Sequence, residues 1–226
     1  RVGGIASGPV SFMRIWDSTC GTLLSTGARR GAMMATLRCD HPDIEAFIDT
    51  KKDPNELRHF NLSVLISDDF MQALKHDADW PLVFPVQHLD EDISKSPMVV
   101  RRVWSGSSEE QDCRVLKVVK ARDLWQKIMQ ANYNYAEPGV LFIDRINQQN
   151  NLAYREQISA TNPCGEIPLC PYDSCRLLAI NLYSYVDNPF TSKAKVNFGL
   201  FKKHVGLAQR IMDDIIDLEL EKIDAI

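Results

Sequence analysis

The chain has 226 residues, of which 45% are hydrophobic and 25% charged, and it carries a formal net charge of −4. This composition is ordinary for a soluble globular protein, and the negative charge gives no electrostatic reason to expect binding along a nucleic-acid backbone. No apolar run approaches the roughly 18 residues that a membrane span requires, and no basic and apolar leader resembles a secretory signal. We therefore expect a cytoplasmic protein with neither a nucleic-acid nor a membrane partner.

The cysteines are too sparse to form a disulfide-stapled scaffold, and none belongs to a CxxC pair. A structural zinc site is also disfavoured, because Cys164, Cys170 and Cys175 are five or six residues apart and no histidine lies near them. We expect no metal site, and at least half of the thiols should be buried. The six cysteines are Cys20, Cys39, Cys113, Cys164, Cys170 and Cys175.

The first predicted element is an amphipathic helix that follows Gly8-Pro9, where proline suits a first helical turn. Its apolar face is predicted to carry Phe12, Trp16, Cys20 and Leu23. Because free cysteine is so often buried, Cys20 is interpreted as a packing residue.

A basic glycine loop follows this helix. Residues 26–31 read TGARRG, with glycines on both sides of Arg29 and Arg30, and the next six residues form a plausible buried strand. A loop of this kind between a helix and a strand could hold an anion, although a solvated arginine pair is the alternative.

The next elements alternate between helix and strand. A short helix through Phe47 and Ile48 precedes a strand at Phe60–Ile66, and Ser67 is predicted to cap another helix. Residues 80–120 are predicted to form a hairpin-like excursion. A helix marked by Leu124, Ile128 and Ala131 then leads to an apolar strand at 140–143.

This alternation favours one α/β domain whose parallel strands are covered by helices, a class that binds ligands at the carboxyl ends of its strands. The chain starts at Arg1 and stops at Ile226 inside a helical pattern. We expect it to be part of a longer protein.

The segment ATNPCGEIPL, residues 160–169, holds a cysteine in an unusual setting. Pro163 fixes its own φ and disfavours helix at Asn162, while Gly165 permits dihedrals that other residues avoid. Cys164 is therefore predicted to lie at the tip of a stiff loop. An ordinary nucleophilic cysteine would need a base, and neither His88 nor His204 lies in a recognisable catalytic setting.

A one-electron role fits the loop better. A sulfur radical needs no base, only a fixed position beside a substrate C–H bond and shielding from water. Glu166 and Asn162 could then hold the two hydroxyls of a ribose, as general base and hydrogen-bond partner.

Five segments together resemble one known family in the same order along the chain. They are GGIASGPVSFMRIWD, TGARRGAMMATLRCDHPDIEAFI, FNLSVLISDDFM, ARDLWQKIMQANYNYAEPGVLFIDRIN and ATNPCGEIPL with its continuation PYDSCRLLAINLYSYV. They resemble ribonucleotide reductases, specifically the adenosylcobalamin-dependent class, which reduce ribonucleoside di- or triphosphates to deoxyribonucleotides for DNA synthesis. The resemblance implies a ten-stranded α/β barrel with a cysteine finger loop in its centre, of which residues 1–226 form a part that should be inactive alone.

Within this resemblance, the finger loop lies near residues 160–169. Cys164 is similar to the thiyl-radical cysteine that takes the 3′-hydrogen, Glu166 to the base on the 3′-hydroxyl, and Asn162 to its partner. Cys175 matches one member of the redox pair that becomes a disulfide, and its mate is expected upstream of Arg1. Cys170 matches no catalytic cysteine and is interpreted as a spectator.

The resemblance also implies an effector site. The specificity loop near residues 26–33 would communicate between a deoxynucleotide or ATP effector and the substrate base, which gives Arg29, Arg30 and Gly31 a binding role. Ser7 and Gly8 fall near the substrate and effector loops. The cofactor would be adenosylcobalamin and the reductant a dithiol such as thioredoxin, and the first helix could contribute to a homodimer contact.

Three alternatives stay open. The first is a reductase of the same fold whose radical comes from a metal-containing partner subunit. The catalytic chains of that class usually have leucines where Pro163 and Gly165 stand. The second is a non-catalytic module that binds a deoxynucleotide through the basic loop. The third is a thiol–disulfide protein that uses Cys170 and Cys175, and it would need a thiol of low pKa.

Overall fold

The computed structural model describes residues 7–23, 31–88, 98–104 and 109–223, with side chains described as far as Leu218. The chain divides into two units, Arg1–Asp173 and Ser174–Ile226. Within the described ranges, no helix has the length and hydropathy needed to cross a membrane.

The first unit alternates helices with strands. In chain order, its elements are α1 (Gly8–Thr22), β1 (Met33–Arg38), α2 (Ile44–Asp49), β2 (Phe60–Ile66), α3 (Asp68–Lys75), β3 (Asp79–Pro85), β4 (Val99–Val103), β5 (Glu110–Lys120), α4 (Ala121–Tyr135), β6 (Gly139–Phe142), α5 (Ile143–Gln148), β7 (Ala160–Thr161) and β8 (Pro168–Leu169).

A parallel sheet of order β1-β2-β6 forms the framework of this unit. Met33 pairs with Phe60 at one end of the β1/β2 ladder and Arg38 with Leu65 at the other, while Ser63–Ile66 pairs with β6. Parallel pairing requires crossover connections, which α2, α3 and α4 supply. The predicted α/β class with parallel strands is therefore confirmed, and closure into a ten-stranded barrel stays a prediction.

The core lies between this sheet and its helices. Leu62, Val64 and Ile66 are every second residue of β2, so they share one face of the strand. All three are at most 1% exposed and belong to the core. Apolar residues of the predicted helices are buried against them, and Ser67 caps α3 by accepting a 3.2 Å hydrogen bond from the Phe70 backbone N–H. These buried helix residues are Ile44, Phe47, Ile48, Phe70, Leu124, Ile128 and Ala131.

The predicted excursion at residues 80–120 is a three-stranded antiparallel sheet of order β3-β5-β4. Trp80 joins the two sheets, because its indole N–H donates to the Cys39 carbonyl, which follows β1, at 3.1 Å. The same ring packs edge-on against Phe70 of α3 at 5.1 Å.

The helix α1 was predicted correctly, but its core-facing row was not. Cys20 is 5% exposed, as expected, whereas Phe12, Trp16 and Leu23 are 59%, 60% and 68% exposed. The residues that pack on the core are Val10 and Met13. They share a helix face with Cys20, because the three positions are separated by three and seven residues. The larger apolar side chains form a separate, solvent-facing stripe.

The second unit is built around one long helix. Its elements are β9 (Val186–Asp187), β10 (Lys195–Val196) and α6 (Phe198–Ile223), and the two short strands pair antiparallel. Tyr185 packs edge-on against Phe201 of α6, and its hydroxyl lies 3.0 Å from His204 Nδ1. The helical pattern predicted near the end of the sequence is confirmed by α6.

Candidate functional site

The cysteine segment forms a tight hairpin. Strands β7 and β8 pair antiparallel, with Ala160 opposite Leu169 and Thr161 opposite Pro168, and six residues connect them. Asn162 takes part in three hydrogen bonds that shape the connection. Its N–H donates to the Ile167 carbonyl at 3.2 Å, and its carbonyl accepts from the Gly165 N–H at 2.9 Å. The third joins Asn162 Oδ1 to the Ile167 N–H at 3.0 Å. This predicted stiff loop is thus held largely by one residue.

The tip of the hairpin presents Cys164 and Glu166 to the outside. Both side chains are exposed, and Gly165 between them has a φ of +82°, a conformation that favours glycine. Among the described residues other than its two chain neighbours, no atom lies within 4 Å of a Cβ placed on Gly165, so glycine is required here by dihedral angle and not by crowding. Both the sulfur and the carboxylate are therefore accessible from solvent.

The geometry limits what Asn162 can do. Its Oδ1 already accepts the Ile167 N–H and keeps one further lone pair, so the amide NH₂, with two donor hydrogens, is the main group it offers to a ligand. Asn162 is therefore suited to donate to a ribose hydroxyl while it maintains the shape of the loop.

The hairpin meets the parallel sheet near its amino-terminal end. Asn61, the second residue of β2, donates from its side-chain nitrogen to the Pro163 carbonyl at 2.6 Å. Further back, Thr36 Oγ1 of β1 lies 3.5 Å from the Ser159 carbonyl. The candidate site thus lies at the opposite end from the carboxyl ends of the strands, where the general α/β rule places ligands.

The carboxyl ends of β1, β2 and β6 instead surround a cavity of about 290 Å³. At its wall the buried Asp40 pairs with the partly buried Arg38. Arg38 Nε and a terminal nitrogen donate to the two carboxylate oxygens of Asp40, each at 2.8 Å, and the other terminal nitrogen donates to the Val103 carbonyl at 2.7 Å. Burial alone would lower the pKa of Arg38, but the hydrogen bonds and charge of Asp40 outweigh it and hold that pKa above its usual value. Every guanidinium nitrogen is occupied, so this pair joins the two sheets and is not free to bind a ligand.

A model of the family described as "Ribonucleotide reductase, barrel domain" matches residues 1–226, the whole of this chain. The chain belongs to the ribonucleotide reductase barrel family. The recognition made from the five sequence segments is thereby confirmed at the level of the family.

The relatives named as reductases fall into two groups. Vitamin B12-dependent ribonucleoside-diphosphate reductases of Thermoplasma acidophilum and Mycobacterium tuberculosis H37Rv are each 38% identical, over 95% and 96% of this chain and 24% and 26% of their own lengths. The ribonucleoside-diphosphate reductase large subunit of Monkeypox virus is 28% identical over 95% of this chain and 28% of its own length. The chain spans about a quarter of the length of the curated relatives it matches.

Of the predicted effector residues in the basic loop of this reductase barrel chain, the structure describes Gly31. Arg29 and Arg30 lie outside the described residues. Gly31 faces Cys20: a Cβ placed on it would lie 2.5 Å from the Cys20 sulfur, so packing alone requires glycine there. An effector role for Gly31 stays a prediction.

The other two predicted binding residues lie at the start of α1. Ser7 is exposed and forms no side-chain cap, although its carbonyl accepts the Ser11 hydroxyl at 2.8 Å. A Cβ placed on Gly8 would lie 3.6 Å from the Asp43 carboxylate. Their proposed nucleotide contacts stay predictions.

The prediction that at least half of the thiols are buried is confirmed. Cys20, Cys39 and Cys113 are buried, Cys164 and Cys175 are exposed, Cys170 is intermediate, and all six are free thiols.

Cys170 lies beside two acidic side chains. Its sulfur is within 4.8 Å of carboxylate oxygens of Glu156 and Asp173. Desolvation, together with these two carboxylates, raises the pKa of Cys170 to about 11. A thiol–disulfide protein needs the opposite shift, so this environment argues against that alternative and fits a spectator thiol.

Asn61 is the residue of the site that sequence reasoning missed. One signal was available: asparagine is disfavoured inside strands, yet it stands in the otherwise apolar start of FNLSVLI. Its partner, Pro163, is about a hundred residues away in sequence, so only the fold could identify the contact.

Proposed function

We propose that this chain carries the radical cysteine of an adenosylcobalamin-dependent ribonucleotide reductase, an oxidoreductase that makes deoxyribonucleotides for DNA synthesis. The observation that carries the proposal is the position of Cys164: exposed at the tip of a hairpin that Asn162 holds closed, with Glu166 exposed beside it. The names of the bacterial and archaeal relatives favour a ribonucleoside diphosphate as the substrate.

The reaction needs a sulfur that can take a hydrogen atom and give it back. A thiyl radical at Cys164 breaks the C3′–H bond of the ribose, which forms an S–H bond and leaves the unpaired electron on C3′. At the end of the cycle the same hydrogen returns to C3′ and the sulfur radical is restored. A turn closed by the hydrogen bonds of Asn162 suits this task, because hydrogen transfer depends on a reproducible distance between sulfur and carbon.

Two side chains near Cys164 would act on the ribose hydroxyls. The Glu166 carboxylate accepts the proton of the 3′-hydroxyl, and the 2′-hydroxyl leaves as water with a proton from the thiol pair that includes Cys175. The NH₂ of Asn162 donates a hydrogen bond to the ribose. Both side chains lie within two residues of Cys164, so one loop would present all three groups to one sugar.

Cys175 would supply reducing equivalents with a second thiol. Over one turnover, two thiols become one disulfide, the ribose loses its 2′-hydroxyl as water, and C2′ gains a hydrogen. The exposure of Cys175 suits exchange with an external dithiol such as thioredoxin.

The open surroundings of Cys164 are compatible with a bulky cofactor. Cys164 is exposed, so its sulfur can be approached from outside the hairpin. Adenosylcobalamin, when bound, supplies the radical equivalent that activates the Cys164 sulfur. The role of this chain is to hold that sulfur in place and to orient the ribose.

A radical supplied by a metal-containing partner subunit is the second candidate, since the Monkeypox virus relative is named a large subunit. The higher identity of the vitamin B12-dependent relatives and the Pro163 and Gly165 that flank the cysteine favour the cobalamin class. A module that only binds deoxynucleotide would leave the ordered, exposed Cys164–Glu166 turn without a purpose.

The remaining partners follow from the same proposal. A deoxynucleotide or ATP effector would bind near the basic loop, and the protein would work in the cytoplasm. A homodimer contact through α1 is supported by the exposed stripe of Phe12, Ile15 and Trp16, each 59–60% exposed.

The cofactor assignment predicts that the full-length protein forms deoxyribonucleoside diphosphate from a ribonucleoside diphosphate and dithiothreitol only when adenosylcobalamin is added. The product is measured by chromatography, and hydroxocobalamin, which has no adenosyl group, is the matched control. Turnover without any cobalamin, or turnover that requires a metal-containing second subunit, would contradict the cobalamin assignment and favour the second candidate.

A further inference from the structure

We propose that Asn61 is a positioning residue that sets the location of the Cys164 sulfur. This inference rests on the proposed function and adds to it a residue about a hundred positions away from the finger loop. The hydrogen bond from Asn61 Nδ2 to the Pro163 carbonyl, at 2.6 Å, carries it.

The bond reaches the peptide unit that leads directly into Cys164. The Pro163 carbonyl and the Cys164 N–H belong to the same planar group, so fixing that oxygen fixes the plane from which the Cys164 side chain starts. Because the φ of Pro163 is also restricted by its ring, little freedom is left on the amino-terminal side of the cysteine.

Within the described part of the chain, the other hydrogen bonds of the turn come from the hairpin itself. Asn162 bonds to Ile167 and Gly165, and Thr161 bonds to the Asn162 carbonyl. Among the described residues, Asn61 makes the one hydrogen bond that reaches residues 162–167 from outside residues 160–169. Without it, the hairpin could keep its internal shape and still move as a body relative to the sheet.

The strand that carries Asn61 is a rigid support. β2 is the central strand of the parallel sheet, paired to β1 and β6, and the six other residues of the strand are all buried. Asn61 itself is exposed, so its side chain contributes little to the core. A contact of this kind can be removed with a small effect on folding and a large effect on where the sulfur lies.

The test uses the full-length protein with adenosylcobalamin, dithiothreitol and a ribonucleoside diphosphate, either unlabelled or deuterated at C3′. Asn61→Asp keeps the shape of the side chain and removes the donor, and Asn61→Gln keeps a donor. Asn134→Asp is the matched control, because it makes the same change at an exposed residue of α4.

We expect Asn61→Asp to lower kcat by about 10- to 100-fold, the usual cost of misplacing a reacting group by about 1 Å. The KM for the nucleotide and the melting temperature should stay close to those of Asn134→Asp. The 3′-deuterium isotope effect on kcat should increase, since hydrogen transfer becomes the slow step, and Asn61→Gln should recover part of the rate.

Three results would overturn the inference: an unchanged kcat, a change confined to KM, or a loss of rate that follows a lowered melting temperature in Asn61→Asp and Asn61→Gln alike. Failure of the proposed function has a different signature, because Cys164→Ala would then retain turnover. Loss of turnover in Cys164→Ala with wild-type behaviour of Asn61→Asp would remove only the positioning role.

Discussion

Replacing Cys164 by alanine in the full-length protein is expected to lower deoxyribonucleotide formation by about 10⁴-fold or more, the usual cost of removing a reacting group. No other thiol can substitute within the turn, because Cys164 is the only sulfur among residues 160–169. Binding should survive, since the ribose contacts proposed for Asn162 and Glu166 remain. The rate is measured by chromatography of the product, and nucleotide affinity by calorimetry.

Cys170→Ala is the matched control for this experiment. Its thiol lies beside Glu156 and Asp173 with a pKa raised to about 11, so it is mostly protonated at neutral pH and has no role in the proposed reaction. We expect turnover close to that of the wild type. Equal losses in the two variants would point to a general effect of removing an accessible thiol and would contradict a specific role for Cys164.

Asp40→Asn is expected to produce the largest loss of stability, about 3–5 kcal/mol, because it removes a buried carboxylate and leaves the partly buried Arg38 guanidinium without its charge partner. Asp40 is 2% exposed, and it accepts two 2.8 Å hydrogen bonds from Arg38. Arg102 Nε lies 3.6 Å from the same carboxylate, so two cations would lose their counter-charge. Denaturant unfolding of the full-length protein measures the effect, because the midpoint and the slope of the transition give the free energy of unfolding.

Asp77→Asn provides the comparison for that measurement. Asp77 also pairs with an arginine, Arg122, at 2.8 Å, but the two side chains are 63% and 52% exposed. An exposed pair of this kind contributes at most about 1 kcal/mol. Similar shifts for Asp40→Asn and Asp77→Asn would mean that burial of the Arg38 pair has no energetic importance.

The local elements of the first unit could be predicted because their signals are local. The strand at Phe60–Ile66 and the Ser67 cap are confirmed at the predicted residues, since a run of apolar residues followed by a cap needs no tertiary information. The face of α1 could not be predicted in this way. Phe12 and Trp16 are larger than Val10 and Met13, but which row is buried depends on the sheet that the helix meets.

The site shows the same division between local and long-range information. The stiff loop at 162–167 follows from Pro163 and Gly165, whose dihedral preferences are properties of single residues. The contact between Asn61 and Pro163, and the buried pair of Arg38 and Asp40 between two sheets, depend on how distant strands come together. The structure was also needed to show that the Asn162 side-chain oxygen closes the loop, in addition to the ribose contact proposed for its NH₂.

The most direct test of Cys164 as the hydrogen-abstracting group compares C3′-deuterated with unlabelled ribonucleoside diphosphate in competition, using the full-length protein with adenosylcobalamin and dithiothreitol. If a sulfur radical breaks the C3′–H bond before the 2′-hydroxyl leaves, the deuterated nucleotide is reduced more slowly, and its product keeps the label at C3′. Equal rates for the two nucleotides, with turnover retained in Cys164→Ala, would contradict the assignment of Cys164 and Glu166 to the chemistry of the 3′ position.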